Sequence, residues 1–135
     1  MFTFIIKGPV EAIRRLERLD FHHDLEIAVD RAVKNAERIS KQQYLSGPRP
    51  SKLGVVTGRL RASVRGTMIS ATSKVIQGVL SAGPLPYAAI HEFGGKAGRG
   101  RKVTIPPRPY LRPALEAVMD DLKRELRKIF GRFTR

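Results

Sequence analysis

The chain contains no cysteine, which excludes disulfides and a thiol nucleophile and suits a reducing compartment. Long apolar runs are also missing. The stretch from Phe2 to Ile6 is too short for a signal-peptide core or a membrane span. With 135 residues and 41% hydrophobic content, the composition is typical of one globular domain covering residues 1–135. We therefore expect a soluble protein with no membrane partner.

Acidic residues are nearly absent from the middle of the chain. Residues 47–113 contain twelve lysines and arginines but one acid, Glu92, whereas the flanking segments are close to balanced. The net charge of +14 is therefore concentrated in this middle part. Charge that served solubility alone would be spread more evenly. A basic field of this kind attracts nucleic acid or an acidic protein surface.

Apolar residues at three- and four-residue steps predict two main helices. The internal helix runs to Ile39, with Asp24 as its N-cap. The C-terminal helix has Pro113 in its first turn and an apolar stripe that extends to Phe133. A shorter helix is expected after Pro9, which suits a first helical position.

Alternating apolar and polar residues predict the strands. Two such runs flank a short turn at residues 71–73 and indicate an antiparallel hairpin, whose first strand starts within residues 57–61. Residues 103–105 and 2–6 are expected to add a third and a fourth strand. The predicted fold is thus α+β, with a small antiparallel sheet of three to four strands packed by the internal helix and the C-terminal amphipathic helix.

Known catalytic and cofactor-binding motifs are incomplete in this chain. His91-Glu92 resembles the start of a zinc-protease motif, but Gly95 stands where the second histidine is required. The phosphate-loop pattern lacks its Ser/Thr and its upstream glycine, and the dinucleotide fingerprint fails at Val103. A carboxylate-pair mechanism needs two acids near one cleft, and the basic middle segment has only Glu92. We expect no enzyme activity, no cofactor and no metal site.

The glycine-rich basic stretch at residues 94–102 admits two interpretations. Its cations can contact phosphates without reading sequence, although no helix-turn-helix, zinc knuckle or aromatic stacking platform accompanies them. The same composition is typical of an extended loop that becomes ordered when a neighbouring subunit holds it. A small sequence-independent DNA-binding protein is therefore the alternative to an assembly protein.

Three segments resemble a known family when they are taken in order. They are "SGPRPSKLGVVTGRLRASV", "YAAIHEFGG" and "IPPRPYLRPALE", and the resemblance covers roughly residues 40 to 120. Together they look like the virion-morphogenesis and tail-completion proteins of tailed bacteriophages. The histidine before Glu92 and "IPPRP" are similar to the Mu-like group, whereas "YLRPALE" is similar to the head–tail joining group of HK97-like siphophages.

This resemblance implies a structural α+β subunit without catalysis or a required cofactor. Such subunits form a homo-oligomeric ring, commonly hexameric, at the head-proximal end of the tail. The ring ends tail-tube growth and meets the tail-tube and head-connector proteins, while DNA passes through its lumen. The implied location is the neck of the virion, after assembly in the cytoplasm of the bacterial host.

Within this framework we predict that residues 94–102 form a mobile assembly arm that lies along the next subunit. Tyr87, Ile90 and Phe93 are expected to pack a short helical turn onto the sheet, and the prolines at 106, 107 and 109 to fix the approach to the last helix. Eight basic residues are predicted to contact a subunit, another partner or DNA: Arg59, Arg61, Lys96, Arg99, Arg101, Lys102, Arg108 and Arg112.

Overall fold

The structure, a computed structural model, describes residues 2–7, 19–46, 58–71, 75–85 and 87–133. The helix predicted after Pro9 and the predicted Thr57 cap lie outside these residues. The elements in chain order are β1 (Phe2–Lys7), α1 (Leu19–Ile39), α2 (Arg59–Ser63), β2 (Arg65–Ala71), β3 (Val75–Ser81), α3 (Ala88–Phe93), β4 (Gly95–Ala97), β5 (Val103–Ile105) and α4 (Arg112–Phe133). A π-helical turn, Ser40–Tyr44, follows α1, and a 3-10 turn, Arg99–Arg101, joins β4 to β5.

A three-stranded antiparallel sheet in the order β1-β3-β2 confirms the predicted hairpin and the strand near the N-terminus. Phe2 faces Leu80 across β1 and β3, and Gly66 faces Leu80 across β2 and β3. The sheet register shifts between Met68 and Ser70, where β2 is irregular. Residues 103–105 do not join this sheet, because they pair with β4 in a separate two-stranded sheet.

The first hairpin strand begins later than the sequence predicts. Residues 59–63 form α2, whose Ala62 N–H donates to the Gly58 carbonyl over 2.8 Å. Arg, Leu and Ala are strong helix formers, and Gly58 supplies the left-handed conformation (φ 74°) at the start of the turn. The strand β2 therefore starts at Arg65.

Helix α1 lies against the sheet at unusually short range. A Cβ placed on Gly66 of β2 would stand 2.0 Å from the Val33 carbonyl oxygen of α1, so only glycine permits this approach. The Gly66 N–H donates to Oε2 of Glu37 over 2.9 Å. Lys41 Nζ lies 2.6 Å from the other oxygen of that carboxylate. Glu37 belongs to α1 and accepts from Gly66 of β2, so it fixes α1 over β2, while Lys41 in the following turn balances its charge.

Helix α4 packs on α1, and most of the core lies between them and the sheet. The sequence-predicted stripe is largely confirmed, since Leu111, Val118, Leu122 and Ile129 are buried. Pro113 lies in the first turn of α4, as the sequence predicts. The buried hydrophobic residues shared by the core are Leu25, Ala28, Val29, Ala32, Ala36, Ile39, Leu45, Val64, Ile76, Leu80, Tyr110, Leu111, Ala114, Val118, Leu122 and Ile129.

Two ion pairs join the outer edges of α1 and α4. Arg31 Nη1 lies 3.0 Å from Glu125 Oε1, and Arg132 Nη2 lies 3.0 Å from Asp24 Oδ2. The prediction of Asp24 as an N-cap is wrong, because the described part of α1 already begins at Leu19. Its carboxylate instead forms the ion pair with Arg132 of α4.

Candidate assembly surface

The buried carboxylate of Glu92 caps the C-terminal helix. Its side chain projects from α3, and the residue is only 4% exposed. Oε2 accepts the backbone N–H groups of Tyr110 (2.8 Å) and Leu111 (2.9 Å), and Oε1 accepts that of Arg112 (3.0 Å). The first N–H groups of a helix have no partner within the helix, and a negative charge is favourable at that end. Glu92 therefore fixes the start of α4 against α3.

Tyr110 adds a second connection between the same two elements. It is 1% exposed, and its hydroxyl donates to the Ala88 carbonyl over 3.1 Å. Burial and the neighbouring Glu92 carboxylate both raise the pKa of the Tyr110 hydroxyl above its ordinary value. The phenol is protonated at physiological pH, as an ordinary tyrosine is, and it donates this hydrogen bond.

The segment between β5 and α4 is held directly against the end of α3. The Arg108 N–H donates to the His91 carbonyl over 2.8 Å. Gly94 has φ 74°, and a Cβ on it would lie 2.9 Å from Cδ of Pro107. Only glycine fits this conformation and this space. The sequence segments around residues 87–95 and 105–116 thus form one structural unit, which we call the clasp.

A two-stranded hairpin, Gly95–Ile105, projects from the clasp. Gly95 faces Ile105 and Ala97 faces Val103, so both ends of the hairpin meet at the clasp. The 94–102 segment predicted to be a loop therefore contains a strand and a turn. Residues 98–104 are all exposed. At the turn, Arg101 has φ 54°, a left-handed conformation that is uncommon for a residue with a side chain.

Four of the eight predicted contact residues lie on the hairpin. Lys96, Arg99, Arg101 and Lys102 are exposed, and the sequence has no acid between Glu92 and Glu116. Arg108 is half-buried and Arg112 is exposed, and both belong to the clasp.

The other two predicted contact residues, Arg59 and Arg61, lie on α2 rather than on a strand. Arg61 lines a shallow polar cleft with Lys34, Glu37 and Lys41, next to α1. The structure thus divides the predicted contact residues between the hairpin with its clasp and the α2 side.

Apolar side chains are exposed beside the basic hairpin. Phe93 is 61% exposed and Val103 is 57% exposed. The prediction that Phe93 packs inward is wrong, because Ala88 and Glu92 occupy the buried face of α3. An apolar groove of about 420 Å³ adjoins Phe93 and is lined by Ala82, Gly83, Pro84, Leu85, Ala88, Ala89, Glu92, Phe93, Tyr110 and Leu111. The surface therefore combines positive charge with exposed apolar area, which is typical of a protein contact.

The helix-capping role of Glu92 was not predicted from the sequence, where the residue is considered as part of an incomplete zinc-protease motif and as the only acid of a basic segment. Its isolation within that basic, glycine-rich segment was the available signal. The partner itself is set by tertiary structure.

In the described part of the chain, no group of three or more acidic or histidine side chains can hold a metal ion. None of the described helices is long and apolar enough to cross a membrane.

Residues 33–130 match the phage virion morphogenesis family, so the chain belongs to that family. This confirms the resemblance seen in the three sequence segments. The matched range includes α2, the hairpin, the clasp and nearly all of α4. That family consists of proteins of phage virion morphogenesis.

Two curated proteins are similar to parts of the chain. Mu-like prophage FluMu G protein 2 of Haemophilus influenzae is 47% identical over 73 residues, which cover 52% of this chain and 53% of that protein. An uncharacterised protein of Methanocaldococcus jannaschii is 39% identical over 64 residues, covering 47% of this chain and 43% of that protein. The chain thus spans about half the length of the curated relatives it matches. No solved structure shows significant similarity to the chain.

Proposed function

We propose that the protein is a tail-completion protein that forms a ring, hexameric in the simplest case, at the head-proximal end of a phage tail. In this position it ends growth of the tail tube and joins the tail to the head connector. The observation that carries the proposal is the basic hairpin on a hydrogen-bonded clasp, in a chain of the virion morphogenesis family.

The clasp and the hairpin have opposite physical properties. The clasp is anchored by the buried side chains of Glu92 and Tyr110, by the hydrogen bonds that Glu92 accepts and by close packing at Gly94. The hairpin beyond it is exposed along residues 98–104 and contributes little to the core of its own subunit. An element that is firmly anchored but poorly buried is suited to contact another molecule. Homo-oligomeric rings use such contacts repeatedly around the symmetry axis.

The mass of the purified protein in solution tests ring formation. We expect a concentration-dependent oligomer by light scattering and closed rings by electron microscopy. Phage particles produced without the protein should have tails of uncontrolled length and unattached heads. Wild-type protein that remains monomeric at high concentration, together with normal particles in its absence, would show that the proposal is wrong.

Sequence-independent DNA binding is the second candidate, and the uncompensated charge of the hairpin favours it. Binding through several phosphates weakens steeply with salt. Retention on duplex DNA should therefore be measured between about 50 and 200 mM salt, the range over which such binding falls by orders of magnitude. Absence of binding near physiological salt would eliminate this candidate and leave the ring.

A further inference from the structure

We propose that the hairpin of one copy binds the exposed carboxylates of Glu116 and Asp120 on α4 of the next copy. This inference rests on the proposed ring and specifies its subunit contact. It assigns one half of the subunit interface to the hairpin and the other half to an exposed face of α4.

Almost all acidic side chains that the structure describes form an ion pair or a hydrogen bond within the subunit. Most of those with described side chains have a partner: Asp24 with Arg132, Glu26 with His22, Asp30 with Lys34, Glu37 with Lys41, Asp121 with Arg124, Glu125 with Arg31, and Glu92 with three backbone N–H groups. Among the acidic side chains that the structure describes, only Glu116 and Asp120 make no hydrogen bond or ion pair.

These two carboxylates lie on one exposed face of α4. They are four residues apart, which places them about 6 Å apart along the helix axis. Like charges at this spacing repel each other by a few tenths of a kcal/mol. In a chain with 26 basic residues, two neighbouring acids that form no ion pair within the described part of the chain stand out. A cationic partner from outside the subunit would relieve the repulsion.

The hairpin supplies the complementary charge. Lys96, Arg99, Arg101 and Lys102 make no ion pair within the described part of the subunit, and all four are exposed. The hairpin and the acid pair lie on different elements, so each copy can give its hairpin to one neighbour and receive a hairpin from the other. Such head-to-tail contacts form a ring when the rotation between neighbouring copies closes after a whole number of subunits. DNA offers negative charge to the hairpin as well, but it gives no reason for an unpaired acid pair on the same subunit.

Charge reversal separates this contact from the other possibilities. The hairpin variant carries Arg99→Glu and Arg101→Glu, and the helix variant carries Glu116→Lys and Asp120→Lys. Each alone sets the exchanged side chains against like charges at every subunit contact, while Lys96 and Lys102 stay positive in the hairpin variant. Each should weaken association roughly tenfold or more. Mixed in equal amounts, the two variants should assemble again, because alternating copies restore opposite charges at both contacts of each subunit.

A matched control carries Arg38→Glu and Lys128→Glu. Both residues are exposed, Arg38 on α1 and Lys128 on a different face of α4 from Glu116 and Asp120, and reversing them changes the net charge by as much as the hairpin variant does. Denaturant melts should show that all variants fold like the wild type, and light scattering should show near-normal assembly of the control. The substitutions Arg99→Gln and Arg101→Gln give a milder version of the hairpin variant, and we expect intermediate weakening.

The outcomes are distinguishable. If wild-type protein forms rings but both reversal variants assemble as well as the control, the proposed contact is wrong while the ring stands. If the hairpin variant loses affinity for duplex DNA and the helix variant assembles normally, the hairpin binds DNA instead. A wild-type protein that never assembles would refute the ring itself and this contact with it. Recovery of assembly on mixing supports the contact directly.

Discussion

At the scale of single residues, Glu92 makes the most specific contacts of the clasp. Replacing it with alanine leaves three backbone N–H groups at the start of α4 without their acceptor. Loss of a helix cap together with hydrogen bonds to a charged group should lower the free energy of unfolding by roughly 2–4 kcal/mol. Glu92→Gln retains one acceptor oxygen and should cost less. Urea melts give both values.

The control for this substitution is Glu116→Ala on the same chain. Glu116 is exposed and makes no hydrogen bond or ion pair within the described part of the chain, so its removal should change stability by about half a kcal/mol or less. Equal effects of the two substitutions would show that the Glu92 contacts do not stabilise the start of α4.

Replacing glycine by alanine should have opposite effects on stability at two positions. At Gly66 an added Cβ would lie 2.0 Å from the backbone oxygen of Val33, so Gly66→Ala must push the sheet away from α1 and destabilise the fold by more than about 2 kcal/mol. At Gly131 in α4 an added Cβ meets nothing within 4 Å. Gly131→Ala should therefore stabilise the protein by about 0.5–1 kcal/mol, since alanine favours a helix. Thermal melts that shifted in the same direction for both variants would contradict this account.

Glu37 makes stability depend on pH. Burial alone would raise the pKa of Glu37, but hydrogen bonds from Lys41 and the Gly66 N–H, with the charges of Lys41 and Arg65, lower it below its ordinary value of 4.5. A carboxyl with a lowered pKa in the folded state stabilises the fold above its unfolded pKa and loses that effect as the pH falls through the folded pKa. The stability difference between wild type and Glu37→Gln should thus be full at pH 7 and shrink below about pH 4.5. A difference that stays constant down to pH 3 would mean that the charge of Glu37 does not contribute.

At the scale of elements, α4 can be tested through the two leucines of its apolar stripe. Leu122 is 3% exposed, whereas Leu126 is only half-buried. Leu122→Ala should destabilise the fold by roughly 2–5 kcal/mol, as for buried leucines generally. Leu126→Ala removes a side chain that already contacts water and should cost clearly less. Denaturant melts that reversed this order would contradict the packing of α4 on α1.

Long periodic elements were predictable from the sequence, and the contacts between distant segments were not. The stripe from Leu111 to Ile129 identified α4 because its period repeats over many turns. Residues 59–63 were assigned to a strand because a five-residue helix has too little pattern to distinguish it from one. Residues 103–105 were assigned to the wrong sheet, since three alternating residues indicate a strand but not its partner.

The candidate site could likewise be predicted from the sequence only in part. The exposed cations at residues 96–102 were predictable because composition alone excludes such a stretch from a core. The cap made by Glu92 joins residues that are 18 to 20 positions apart, and only the tertiary fold brings them together. The inward-facing prediction for Phe93 failed because Glu92, an acid, occupies the buried face of α3 in place of an apolar side chain.

At the scale of the whole molecule, the hairpin should be dispensable for folding and necessary for assembly. Because Gly95 faces Ile105 across the hairpin, residues 96–104 can be replaced by a two-residue Asn-Gly turn that reconnects the strand ends. Nearly all of the removed residues are exposed, so the free energy of unfolding should change by less than about 1 kcal/mol. The mass in solution should then correspond to the monomer at concentrations where the wild type assembles.

Hydrogen exchange tests the same idea without altering the chain. A short, exposed two-stranded hairpin protects its amides weakly, so the amides of residues 95–105 should exchange quickly in dilute monomer. The buried strand β3 and helix α1 in the same sample serve as the slow reference. On assembly, protection should rise in the hairpin and along the exposed face of α4 that carries Glu116. Strong protection of the hairpin in dilute monomer, or no change on assembly, would show that this element belongs to the fold of the subunit rather than to its contact with a neighbour.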